Sequence, residues 1–204
     1  MEVAWLIGDI NRVKPKWNLL GFVDEDEKKW GQKRYGYRVL GGPSVLESLP
    51  SPHAMAVAIG DSKQRRSVVE RLRSLNLEFP ALIHPSVIMS RTVKIAEGVI
   101  IAAGSVLTVE IEIGAHTHIN LDCTVGHGAV TGEYSTLFPS VNVSGDVDLG
   151  PATSIGTGAA IIQGIRIEAN TIVGAGAVVV RDLPENVVAV GNPARVIKTN
   201  TGMK

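Results

Sequence analysis

The chain has 204 residues, 45% of them hydrophobic and 20% charged, with Lys+Arg and Asp+Glu balanced at 20 each. This composition can bury a real core, which excludes a disordered chain, and its sparse basic complement argues against a phosphate-tracking nucleic-acid binder. A lone Cys123 excludes an intrachain disulfide framework, and no apolar run approaches the ~18 residues of a membrane span. A soluble, cytoplasmic protein with no nucleic-acid or membrane partner is expected.

In chain order, Val3, Leu6, Ile7 and Ile10 recur at helical spacing, and the helix they predict must run out by Pro15. Residues 18–23 (NLLGFV) read as a strand leading into Asp24. Gly41, Gly42 and Pro43 punctuate the chain before a short helix around residues 46–49. Residues 55–59 (MAVAI) read as a buried strand capped by Gly60 and Asp61, and a longer helix follows with Val68, Val69, Leu72 and Leu75 on its apolar side. Residues 81–83 form a last short strand before His84 and Pro85. Alternating helix and strand over residues 1–85 predicts a small α/β domain of the Rossmann-like type. Such a domain opens with a strand and a Gly-rich turn whose amides meet a phosphate. Here the first predicted element is already the helix, so that strand and turn are expected to be missing.

The rest of the chain has another rhythm. Aromatics are only 4% while glycine counts 22, which suits a narrow core repeated many times better than one filled by rings. Every sixth residue from Met89 to Val179 is aliphatic except Thr131, and the residue four places after each of the first fifteen is small or β-branched, from Val93 through Cys123 to Ala177. Neither helix nor strand has a period of six. A triangular coil does: each six-residue edge turns one large and one small side chain inward, and the corner often needs glycine. Residues 86–184 are therefore predicted to form a left-handed parallel β-helix of about five 18-residue coils. Asp182, Leu183 and Pro184 end it, and residues 185–204 form a C-terminal tail that folds back. Flat aliphatic prism faces cannot all stay exposed, so a homotrimer is expected.

GFVDED (21–26), AIGD (58–61), LIHPS (82–86), INLDCTVGHG (119–128), VSGDVDLG (143–150), IVGAGAVV (172–179) and GNPARVIK (191–198) carry a resemblance across nearly the whole chain. It is similar to the hexapeptide-repeat sugar O-/N-acetyltransferases typified by sialic acid O-acetyltransferase and the bacillosamine-pathway N-acetyltransferase. The V-G-H block and the closing G-N-P-A-R are the specific pieces. The resemblance implies an acetyl-CoA-dependent enzyme that acetylates an amino or hydroxyl group of a nucleotide-linked sugar. It implies His127 as general base and the nucleotide sugar near Asp24, Gly60 and Asp61. It also implies acetyl-CoA between subunits near Gly145, Thr157 and Ala175, towards Arg195 and Lys198. Thr136, where the family commonly has a second His, is placed with the cofactor set. The family's acid after the base is Gly128 here.

The chemistry needs a neutral imidazole to take a proton from the attacking amine or hydroxyl, and a histidine near its reference pKa suits that role. His127 stands at a Gly-flanked position that cannot fill the core; a surface histidine without a role is the alternative. The Gly145 N–H is a candidate oxyanion donor. One coil is 18 residues, so Gly128 stacks between Glu110 and Asp146, and either could replace the missing acid, or both could be solvated corner residues. Asn120 could brace the histidine loop or merely shape a turn. His116 and His118 lack zinc-site spacing, so no metal is expected. Asp24 could equally be a solvated strand end. A different small acceptor on the same scaffold, or a catalytically impaired trimeric scaffold, are the competing functions.

Overall fold

The structure, a computed structural model, describes residues 1–49, 53–75 and 77–201. From Leu82 to Val179 the chain winds into a three-faced solenoid of two-residue strands, which pair in parallel with strands eighteen residues away. Ile100–Ile101 lies on His118–Ile119, that on Thr136–Leu137, and so on to Ile172–Val173. The second residue of each strand points inward, so Ile101, Ile119, Leu137 and Ile155 are buried, with Cys123, Ala129, Ala159 and Ala177 filling the small slots. Burying each Leu or Ile contributes about 1.5–3 kcal/mol. At the corners the coils pass so closely that a Cβ on Gly132 would collide with the backbone of Gly150 and Pro151 one coil on.

The first residue of each strand points outward and gives each face its character. One face carries Leu82, Ile100, His118, Thr136, Ser154 and Ile172, and the N-terminal segment covers much of it. This is the covered face. The next, the open face, carries Ile88, Val106, Thr124, Asn142, Ala160 and Val178. The third, the charged face, carries Lys94, Glu112, Val130, Asp148 and Arg166, with ion pairs Lys94–Glu112 at 2.7 Å and Arg166–Asp148 at 3.2 Å.

The solenoid's ladder begins four residues before the boundary that the repeat suggests, because Leu82–Ile83 already pairs with Ile100–Ile101. It also continues past residue 184. Val187–Val190 lies parallel on Ile172–Val173, and Arg195–Thr199 turns back antiparallel on it.

Before the solenoid, helix α1 (Glu2–Val13) packs Leu6 and Ile7 against Leu82 and Ile100. Helix α2 (Ser62–Leu72) is capped by Asp61, whose carboxylate accepts the Gln64 N–H at 2.8 Å. Between them the strand expected at 18–23 shrinks to Phe22–Val23, and the helix expected at 46–49 is a 3-10 turn, Pro43–Ser48. Tyr37–Gly41 pairs with Phe22–Val23 in parallel and with Lys33–Arg34 antiparallel, a three-stranded sheet. Among the described residues, 55–59 form no ladder, and beside them only Ala54 bridges Glu78. An apolar run reports burial rather than pairing, and Val57 finds its burial against Val69 and Tyr134. Among the described residues no helix is long and apolar enough to cross a membrane.

Candidate active site

The solenoid presents His127 on a corner, between the open-face strand Thr124–Val125 and the charged-face strand Val130–Thr131. Its ring leans forward onto Gly145, the equivalent residue one coil on, and a Cβ there would overlap the imidazole. The equivalent residue one coil back is Val109, whose side chain leaves no such platform. The lean brings Asp146 alongside: its Oδ2 lies 3.7 Å from His127 Nε2, and both side chains are more than half exposed. Gly128, with a φ of +67°, leaves the room that this carboxylate occupies, since a Cβ there would meet Asp146 Oδ1. From two coils on, Gln163 donates to Asp146 Oδ2 at 3.1 Å. Glu110 is not part of this group; its backbone N–H donates to Thr92 Oγ1 at 2.9 Å and its side chain makes no contact with His127 among the described residues. An exposed pair of this kind contributes at most about 1 kcal/mol to stability, so its consequence is orientation. The Gly145 N–H has no backbone acceptor among the described residues.

The preceding corner, between the covered and open faces, carries Asn120, Thr157 and Ala175. The Asn120 amide donates to the Leu137 carbonyl at 2.8 Å. Asn120 lines a cleft of about 350 Å³ between α1, residues 58 and 60, and the covered face, with Trp5, Leu6, Ile100 and Phe138 among its walls. Gly60 lines it too; Asp24 does not. Thr157 and Ala175 are exposed and stack along this corner, the Gly176 N–H donating to the Thr157 carbonyl at 2.8 Å. Gly145 belongs to the other corner, so one chain does not bring the expected cofactor residues together. Arg195 and Lys198 are exposed on the last strand, beyond the final coil.

Asp24 is tied locally: it accepts from the Asp26 N–H at 3.0 Å and from Lys29 Nζ at 2.9 Å, and these bonds hold its carboxyl below the usual range. Burial pushes the Cys123 thiol up to about 11, as befits a core side chain.

Thr136 requires a correction. Its side chain is fully buried, its hydroxyl donates to the Gly60 carbonyl at 3.0 Å and accepts from Arg65 Nη2 at 2.9 Å. Those bonds commit it to the contact between α2 and the solenoid rather than to a cofactor. Arg65, which no sequence motif marks, is 0% exposed there. His116 and His118 belong to the same contact. His116 stacks on Tyr134 with ring centroids 5.2 Å apart, and burial lowers its pKa. Burial, with Arg65 beside it, pushes His118 down to about 3, so it stays neutral at ordinary pH.

The chain is similar to known proteins over most of its length. The family model described as the PglD N-terminal domain matches residues 4–72. GDP-perosamine N-acetyltransferase of Escherichia coli O157:H7 is 31% identical over 179 residues, covering 85% of this chain and 80% of that protein. The acetyltransferase domain of PglB from Neisseria gonorrhoeae FA1090, solved with acetyl coenzyme A, superposes with a TM-score of 0.89 at 28% identity, over 96% of this chain and 93% of that one. A His-to-Asn variant of perosamine N-acetyltransferase from Caulobacter crescentus, solved with CoA and GDP-perosamine, gives 0.88 at 32% identity, over 96% and 92%. With a solenoid of eighteen-residue coils, an α/β segment ahead of it and relatives alike along almost their full length, the chain belongs to the hexapeptide-repeat sugar acetyltransferase family.

Proposed function

We propose that this protein moves the acetyl group of acetyl-CoA directly to the amine of a nucleotide-linked amino sugar, with His127 as general base. The observation that carries the reading is the arrangement at the corner: an exposed imidazole seated on Gly145, with the Asp146 carboxylate on its Nε2 side. Neutral His127 takes a proton from the amine as its nitrogen attacks the thioester carbon. The tetrahedral intermediate then expels CoA thiolate, which regains a proton from the imidazolium. The Gly145 N–H, which has no backbone acceptor among the described residues, is the donor suited to the developing oxyanion. Asp146, steadied by Gln163, takes the place of the acid that the family carries after its histidine.

Direct transfer needs both substrates bound at once. The perosamine enzyme from Caulobacter crescentus holds CoA and GDP-perosamine together, which supports that order for this chain. The acceptor is assigned to the cleft lined by Gly60 and Asn120, with its nucleotide reaching towards Asp24 and Asp61 in an N-terminal domain over residues 1–85. The β-helix supplies the acetylation centre, and Arg195 and Lys198 are suited to the CoA phosphates.

Assembly follows from the faces. The charged face suits water and the covered face is largely occupied, which leaves the open face for a threefold contact between copies. If three open faces turn inward, the Asn120 corner of one subunit meets the His127 corner of the next. That joins the acceptor cleft, Thr157 and Ala175 to His127 and Gly145, residues that a single chain keeps apart.

The test is thiol release from acetyl-CoA against a panel of nucleotide amino-sugars, comparing wild type with His127→Ala. Turnover that falls about 10²–10⁴-fold in the variant is expected. Equal turnover in both would remove His127 from the reaction.

A further inference from the structure

We infer that Arg65 is a positioning residue: its guanidinium holds the residue 59–60 turn at a set place over the β-helix and so decides how the nucleotide half of the acceptor reaches the acetylation centre. The inference rests on the function proposed above.

Arg65 lies in the second turn of α2, where Lys63, Gln64 and Arg66 point to solvent, yet it is wholly buried. Burying a cation costs several kcal/mol unless its donors are all used. Here they are. Nε donates to the His116 carbonyl at 2.8 Å; Nη1 donates to the carbonyls of Ile59 at 2.6 Å and Gly60 at 3.1 Å. Nη2 donates to the carbonyls of Tyr134 at 2.7 Å and Ser135 at 3.1 Å, and to Thr136 Oγ1 at 2.9 Å. Among the described residues no carboxylate forms an ion pair with it. Apart from Thr136 Oγ1 and His118 Nδ1, the latter 3.5 Å from Nη1, the acceptors are main-chain oxygens, so the group senses where the backbone lies.

Those oxygens come from three places: the turn before α2, one coil at residue 116, and the next coil at residues 134–136. Thr136 adds a second tie by donating to the Gly60 carbonyl, and Ser62 Oγ lies 3.4 Å from Thr136 Oγ1 and 3.3 Å from Ser154 Oγ, one coil further. Gly60 is therefore gripped by both Arg65 and Thr136 while it lines the acceptor cleft. An apolar side chain of similar volume could press α2 on the solenoid, but it would leave the buried carbonyls without donors and the turn free to slide. Lys, a point charge without the fork, cannot reach all three segments. A displacement of about 1 Å between a bound group and its reaction partner costs about 10²-fold in rate.

The experiment compares two acceptors: the nucleotide amino-sugar, and the same amino sugar as its 1-phosphate, which lacks the nucleoside. Arg65→Lys is expected to raise KM for the nucleotide sugar about tenfold, while KM for acetyl-CoA and kcat/KM for the sugar phosphate stay within about twofold. Thr136→Val is expected to give the same split at about threefold, and it carries the comparison should Arg65→Lys fail to fold. A parallel loss on both acceptors, tracking a fall in melting temperature, would show Arg65 to be structural only and overturn the inference. Wild-type protein that acetylates no nucleotide sugar would instead overturn the proposed function beneath it.

Discussion

At the scale of single residues, the direction in which one imidazole leans orders the candidate site. His127 can rest on Gly145 but not on Val109, and that choice selects Asp146 over Glu110, although both stand one coil from Gly128. Asp146→Asn is accordingly expected to lower kcat about tenfold, while Glu110→Gln changes it by less than about twofold, measured with saturating acetyl-CoA. Gly145→Ala tests the platform itself. The added methyl must push the ring aside, and a loss of about 10²-fold in kcat with retained CoA binding is expected. Stacking distance alone left the two acids equivalent; the missing Cβ at residue 145 was already legible in the sequence, and its bearing on the ring was not.

The elements respond differently. Each inward strand residue fills its own slot between two coils, and a solenoid has little room to collapse around a cavity. Leu137→Ala should therefore cost about 2–5 kcal/mol, read from denaturant unfolding. The contact between α2 and the covered face carries a pH dependence of defined sign. Burial holds His118 near 3, whereas in the unfolded chain its value returns to about 6.5. Between those values the unfolded state binds the additional proton, so this contribution is present above about pH 6.5 and is lost as pH falls. The slope reaches about 1.4 kcal/mol per pH unit, and His116, also lowered, acts in the same direction. Urea unfolding from about pH 7 to about pH 4.5 should show the decline, and His118→Gln should flatten it.

For the whole molecule, the three faces make the assembly testable. Val106→Lys on the open face should shift sedimentation from a trimer towards a monomer and abolish turnover with it, because the proposed site needs two subunits. Val130→Lys on the charged face should leave both unchanged. A trimer that survives Val106→Lys would move the interface elsewhere.

The six-residue period alone determined the solenoid, because each inward side chain answers to a slot that its own coil builds and the record is local. The corner glycines were legible for the same reason, since tight backbone geometry restricts residue type at the position itself, whereas the V-G-H block was legible through its resemblance to the family. Residues 55–59 misled because an apolar run records burial without saying whether a strand or a side-chain cluster provides it. Only the tertiary structure decided which face is covered, that Thr136 faces α2 instead of a cofactor, and that Arg65 is the clamp between them. Its acceptors are mostly backbone carbonyls, which every residue type carries alike, so no pattern of side chains could announce it.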